Sequence, residues 1–129
     1  MDQLNLTYSE IKYHIFWFTH NRKHVLDKQI KPRVKELILQ GCESMDIEIL
    51  GGKTGSNYVY IHIKTPPTLS PSEILKALKG RSSKKLRDEF EYLKASLPDK
   101  VLWKKGYSCY SSGEYDPEQI LQMIKDDDN

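Results

Sequence analysis

Tyr58, Tyr60 and His62 recur at two-residue spacing, so on an extended strand they share one face with Lys64, while Val59, Ile61 and Ile63 take the other. Aromatic faces arrayed on a sheet are a common platform for stacking unpaired bases. A second chemistry-bearing cluster is the run Lys79-Gly80-Arg81-Ser82-Ser83-Lys84-Lys85. Lysine and arginine neutralise phosphates, serine hydroxyls and backbone amides position them, and glycine permits close backbone approach. Taken alone, such a run is commonly a solvated basic helix face. Arg22 and Lys23 form a smaller basic pair that, alone, reads as surface charge. Cys42 and Cys109 have no CxxC spacing, which predicts reduced, buried thiols rather than a zinc site or a disulfide.

The elements that carry these residues follow from periodicity. Residues 13–19, YHIFWFT, are aromatic and β-rich on both faces, which predicts a central strand covered on both sides. Ile30, Val34, Leu37 and Ile38 fall at helical spacing within 27–43, with Gly41 near the end of that helix. A short strand at 46–50 and a flexible tip at 51–56 lead into the alternating strand 57–65. Pro66-Pro67 stops that strand, and Ser70-Pro71-Ser72-Glu73 combines an N-cap serine, a proline at N1 and a glutamate at N3. The helix it opens has an apolar stripe at Ile74, Leu75 and Leu78 that resumes at Leu86, Phe90 and Leu93. The polar middle at 79–85 is expected to serve something other than core packing. A last strand at 107–112 precedes a second cap, Asp116-Pro117-Glu118-Gln119, opening a helix with Ile120, Met123 and Ile124. The order βαββαβα predicts an α+β fold: a ferredoxin-like split βαβ antiparallel sheet with helices on one face, plus a short C-terminal helix.

The 129 residues fit a single domain, and no apolar run approaches the ~20 residues needed to span a bilayer. The N-terminus lacks the basic start and apolar stretch of a secretory signal, so a cytoplasmic location is expected. A net charge of +2 does not by itself announce a nucleic-acid partner. Its distribution says more, because the acids Asp126, Asp127 and Asp128 are gathered at the tail and leave the body more basic than the total.

Three segments in order, YHIFWFTHNRKHVL, LKGRSSKKL and LWKKGY, carry a family likeness. Together the chain resembles the HUH-superfamily insertion-sequence transposases with a single catalytic tyrosine, the insertion sequence 200/605 type, over about residues 13–124. Residues 1–10 and 125–129 are expected to be flexible. In that family the first strand reads Tyr-His before apolar residues and a basic turn, an LKGxSSxxL helix follows a proline pair, and LWxxGY enters the last strand. The resemblance implies a homodimer formed by joining sheets, and recognition of hairpins in single-stranded DNA at transposon ends. It also gives Arg22, Lys23, Lys79, Arg81, Ser82, Ser83, Lys84 and Lys85 a nucleic-acid-binding role.

The family's nuclease needs a His-apolar-His pair on one strand, a tyrosine nucleophile on the last helix, and a polar third ligand one turn later. Two imidazoles at i and i+2 then converge on magnesium or manganese, which polarises the phosphate attacked by the phenolate. Counted back from Pro66-Pro67, Tyr58 and Tyr60 occupy the family's histidine positions; aligned on Gly113 and the final helix, Met123 takes the nucleophile position and Asp127 that of the third ligand. A neutral phenol is a poor ligand for either cation, and methionine does not attack phosphate, so no cofactor, metal site or intact catalytic set is expected. Rescue would need His62, by a register slip, with Tyr110 or Tyr115 as a displaced nucleophile. The expected function is therefore hairpin binding without cleavage, with Tyr58, Tyr60 and His62 either stacking bases or filling the vacated pocket. The alternatives are an active divergent nickase, an RNA-hairpin regulator, or a relic that binds nothing.

Overall fold

The structure, a computed structural model, describes residues 11–97 and 100–128; residues 1–10, for which flexibility is expected, lie outside that set. Its elements are β1 (Ile11–Phe18), a 3-10 turn (His20–Arg22), α1 (Ile30–Ser44), β2 (Glu48–Thr54), β3 (Tyr58–Thr65), α2 (Pro71–Glu89), α3 (Glu91–Ala95), β4 (Ser108–Ser111) and α4 (Pro117–Asp128). The sheet runs β2-β3-β1-β4 with every neighbour antiparallel, which is the expected ferredoxin-like arrangement. No helix among the described residues is long and apolar enough to cross a membrane.

Two faces of the sheet bury two separate clusters. Odd-numbered residues of β1 and β3, Ile15, Trp17, Val59, Ile61 and Ile63, pack with the apolar stripes of α1 and α2 to form the main core. The even-numbered Phe16, Phe18 and Tyr60 instead meet Ile120 and Ile124 of α4 on the opposite face. This double coverage explains why the first strand is apolar at almost every position. Gly41 lies in the last turn of α1, near its end as expected, and a Cβ there would stand 2.7 Å from Leu78 of α2. The two helices approach closely at that point. Both cysteines are free thiols, Cys42 buried as expected and Cys109 only half-buried because it lies on the short edge strand β4.

Several expected boundaries move. The stretch 51–54, assigned to the hairpin tip, continues β2: Gly51, Gly52, Lys53 and Thr54 pair with His62, Ile61, Tyr60 and Val59, after a register shift between Ile49 and Gly51. Two glycines mimic a turn in sequence, yet the ladder of β3 recruits them, and a Cβ on Gly52 would collide with the Tyr60 carbonyl. The first helix begins at Ile30 rather than 27, and the last strand shortens from 107–112 to Ser108–Ser111. The long helix breaks at Phe90, whose extended backbone separates α2 from α3. Of the segment 125–129, for which flexibility is expected, residues 125–128 are helical and residue 129 lies outside the described set.

Both sequence-marked helix starts form. Ser70 Oγ accepts from the Glu73 N–H while the Glu73 carboxylate accepts from the Ser70 N–H, a complete capping box that holds the Glu73 carboxyl below its ordinary range. Asp116 and Gln119 make the same reciprocal pair at the start of α4.

Candidate functional site

Alternation on β3 does place Tyr58, Tyr60 and His62 on one face, but α4 lies over that face and each ring meets a different fate. Tyr60 is only 2 % exposed, among Phe16, Phe18, Ile120 and Ile124, with Met123 packed against the same cluster. Its hydroxyl lies 2.7 Å from Nδ1 of His14, and Nε2 of His14 lies 2.7 Å from the Tyr115 carbonyl. A carbonyl can only accept, so in the neutral imidazole Nε2 carries the proton and Nδ1 accepts from Tyr60. Both ring nitrogens of a buried histidine are satisfied this way, and the chain segment entering α4 is tied to β1.

Burial pushes the Tyr60 hydroxyl up to about 12, with the negative charge of Asp116 adding to the effect. At neutral pH this group is a phenol with its proton committed to His14. It offers neither an anionic oxygen to a hard divalent cation nor a nucleophile. Among the described residues no cluster of three or more histidine, cysteine or carboxylate side chains is arranged to hold a metal. At the family's ligand and nucleophile positions, a protonated, buried Tyr60 hydroxyl and the apolar side chain of Met123 are not donors that fit magnesium or manganese.

His62 pairs with His14 across the β1–β3 ladder, their rings stacked at 4.2 Å, and its Nε2 lies 2.8 Å from Ser112 Oγ. Desolvation lowers its pKa, and the nearby His14 and Lys12 lower it further. It is a hydrogen-bonded packing residue. Tyr110 stacks near Phe16 and meets Tyr115 edge-on at 5.2 Å, so the two candidate replacement nucleophiles pack against each other within the same aromatic cluster. Tyr58, at the far end of the strand, is half-exposed.

His14 is the residue that sequence reasoning missed, although it stood within the YHIFWFT run. The available signal was that within this run it is the one polar side chain alternating with Phe16 and Phe18, a position that demands a partner once the face is covered.

The basic candidates divide in the same manner. Lys79 donates to the carbonyls of Lys104 at 2.9 Å and Gly106 at 2.6 Å, and burial lowers its pKa. Ser82 is 1 % exposed; its hydroxyl donates to the Leu78 carbonyl and accepts from Trp103 Nε1 at 3.0 Å. The polar middle of the helix thus has an internal role: Lys79 and Ser82 form the clasp that holds the 102–106 segment. Two of the motifs that carried the family likeness, LKGRSSKKL and LWKKGY, are two halves of one contact.

Arg22 likewise works internally. Its guanidinium sits 3.9 Å above the Phe18 ring and donates to the Asp127 carbonyl at 2.8 Å, with Asp127 Oδ2 at 3.4 Å. This ties α4 to β1, and it occupies Asp127 as well. Lys23 and Ser83 are half-buried, and the Ser83 carbonyl accepts from Arg87 Nε. Arg81, Lys84 and Lys85 are exposed; Arg81 reaches Gln40 at 3.2 Å and Lys84 reaches Asp88 at 3.5 Å, both contacts at the surface. Gly80 beside them presents bare backbone, since a Cβ there would meet nothing within 4 Å. Lys104 and Lys105, across the clasp, are exposed too.

Residues 7–127 match the family described as "Transposase IS200 like". The transposase for insertion sequence element IS200 of Salmonella typhimurium is 27% identical over 114 residues, 88% of this chain and 74% of that protein. The ISDra2 transposase TnpA of Deinococcus radiodurans is 22% identical over 116 residues, 90% of this chain and 83% of that one. Among solved structures, a Deinococcus radiodurans protein assigned as a transposase superposes with a TM-score of 0.80 at 24% identity, covering 92% of this chain and 91% of its own. A REP-associated tyrosine transposase bound to a REP hairpin has the same fold at a TM-score of 0.60 and 10% identity, over 88% of this chain and 62% of that one.

Proposed function

The chain belongs to the IS200-like transposase family, and from that premise we propose that it binds hairpins in single-stranded DNA without cutting them. The observation that carries the reading is the state of Tyr60: buried, protonated and bonded to His14 where the family resemblance calls for a metal-binding histidine. At the nucleophile position Met123 packs in the apolar cluster, and at the third-ligand position Asp127 is engaged by Arg22. All three positions serve structure. The binding half of the reading rests on Arg81, Lys84 and Lys85 beside the bare backbone of Gly80, with Lys104 and Lys105 nearby in the chain held by the clasp. Exposed contacts such as Lys84–Asp88 contribute little and yield readily to phosphate. A protein of the same fold bound to a REP hairpin supports a hairpin as ligand. Homodimer formation through the open edge of β2 belongs to the same proposal.

The test uses the full chain with hairpin oligonucleotides carrying single-stranded flanks, in magnesium and in manganese. The expected outcome is binding with no nick and no covalent protein–DNA adduct. An adduct would return the active-nickase reading, through His62 and either Tyr110 or Tyr115. Replacing Arg81, Lys84 and Lys85 together by glutamine should weaken hairpin binding at low salt and flatten its salt dependence, the slope shrinking by about 0.9 for each phosphate that is no longer neutralised. Unchanged affinity would remove this patch from the interface, and tighter binding of the same hairpin made of RNA would replace DNA by RNA as the ligand.

A further inference from the structure

Between the β2–β3 hairpin and α4 lies an open cleft of about 430 Å³, lined by Lys53, Tyr58, Glu118, Leu121, Ile124 and Lys125 among others. That is within the range of about 300–1,000 Å³ in which small organic ligands are held. Of the three aromatic side chains that share the β3 face, Tyr58 alone opens onto it, because Tyr60 is sealed under α4 and His62 is stacked on His14. The ring of Tyr58 is backed on one edge by the Gly55 backbone. A Cβ on Gly55 would collide with the edge of that ring, so the glycine backbone lies directly against it and only a residue without a side chain admits it.

The chemistry of the lining is mixed in a specific way. Leu121 and Ile124 give an apolar wall beside an aromatic ring, while Lys53 and Lys125 outnumber the single carboxylate of Glu118. A flat apolar body joined to an anion matches that set, which is the composition of a nucleotide: aromatic rings take bases of any identity by stacking, and lysines take the phosphate. We propose that this cleft holds one unpaired nucleotide, with its base on Tyr58 and its phosphate on Lys53 and Lys125. The inference rests on the hairpin-binding reading, since a hairpin in single-stranded DNA leaves unpaired strand on either side of its stem, and it assigns that strand a place on the face opposite α1 and α2.

A labelled ten-nucleotide oligo(dT), which forms no hairpin, presents unpaired bases to the cleft, and variants of the cleft separate its contribution from phosphate contacts at the basic patch. The full chain should bind it at low salt. Tyr58→Ala should weaken that binding about 5- to 150-fold, the range for removing one base stack, and Tyr58→Phe should restore it. Lys53→Gln and Lys125→Gln should each reduce the salt slope by about 0.7, the single-strand value for one phosphate contact. Neither lysine is buried, so these variants report on the cleft even if Tyr58→Ala unfolds in a thermal melt. Unchanged oligo(dT) affinity in a folded Tyr58→Ala chain together with both lysine variants overturns the inference, as does failure of the wild-type chain to bind oligo(dT). A blunt-ended hairpin run in parallel separates the two readings. Hairpin bound with oligo(dT) unbound leaves hairpin recognition standing and removes the cleft, whereas oligo(dT) bound through Tyr58 with the hairpin unbound does the reverse.

Discussion

His14, Tyr60 and His62 form a small polar chain inside an otherwise apolar layer, and its proton inventory has a consequence for stability. Burial first, then His14 and Lys12, hold the His62 pKa below its ordinary 6.5. The unfolded chain therefore takes up a proton near pH 6.5 that the folded chain refuses, so the folded state loses stability as pH falls below about 6.5 and the loss levels off beneath the folded pKa. Thermal melts at pH 7.5 and 5.5 should show a lower midpoint in acid, and His62→Asn should shrink that difference. An equal difference in the variant would place the sensitive group elsewhere. Strand alternation made the shared face of Tyr58, Tyr60 and His62 legible in the sequence. Which of them would be covered was not legible, because the stripe of Ile120, Met123 and Ile124 shows that the last helix has an apolar side without showing what it packs on.

Among elements, α2 does two jobs on two flanks. One flank, with Lys79 and Ser82, grips the chain that leads into β4; the other, with Arg81, Lys84 and Lys85, faces solvent. Ser82→Ala should leave Trp103 Nε1 buried without an acceptor and cost about 1–3 kcal/mol. Urea denaturation is the measurement, and a loss well under that range would mean that water or another acceptor replaces the hydroxyl. The helix starts were readable because a capping box is contained in a few consecutive residues, as at Ser70–Glu73 and Asp116–Gln119. The clasp was not, because Lys79 finds its acceptors 25 and 27 residues further on. The same distance hid the contact of Arg22 with Asp127, which lies at the far end of the chain.

For the molecule as a whole, charge is distributed so that acids and bases meet at structural joints and the remaining bases stay outward. Arg33 forks onto Glu89 to join α1 to α2, raising the arginine pKa and lowering that of the carboxyl. Arg81, Lys84, Lys85, Lys104 and Lys105 are among the bases exposed on the α2 side. If all five reach phosphates of a duplex stem, log affinity should fall against log salt with a slope of about −4.5. Raising salt from 50 to 200 mM would then cost on the order of several hundred-fold in affinity. A shallow slope near −1 would leave these lysines and arginines as ordinary solvated charge. Sequence order and spacing were enough for the sheet topology, since a strand, helix, hairpin, helix and strand close in few ways.

The pairing of Tyr60 with His14 also governs which sequence changes remain open to the protein. Histidine in place of Tyr60 would shrink the ring beneath α4 and take away the hydroxyl that satisfies a fully enclosed imidazole. Stability would fall at that first step, with Met123 still in place and nothing catalytic yet gained. A return toward histidine at this position is thus penalised by the fold itself. Under the proposed function, selection moving one residue at a time meets a ratchet here: drift can vary the nucleic acid that is gripped far more easily than it can rebuild the cut.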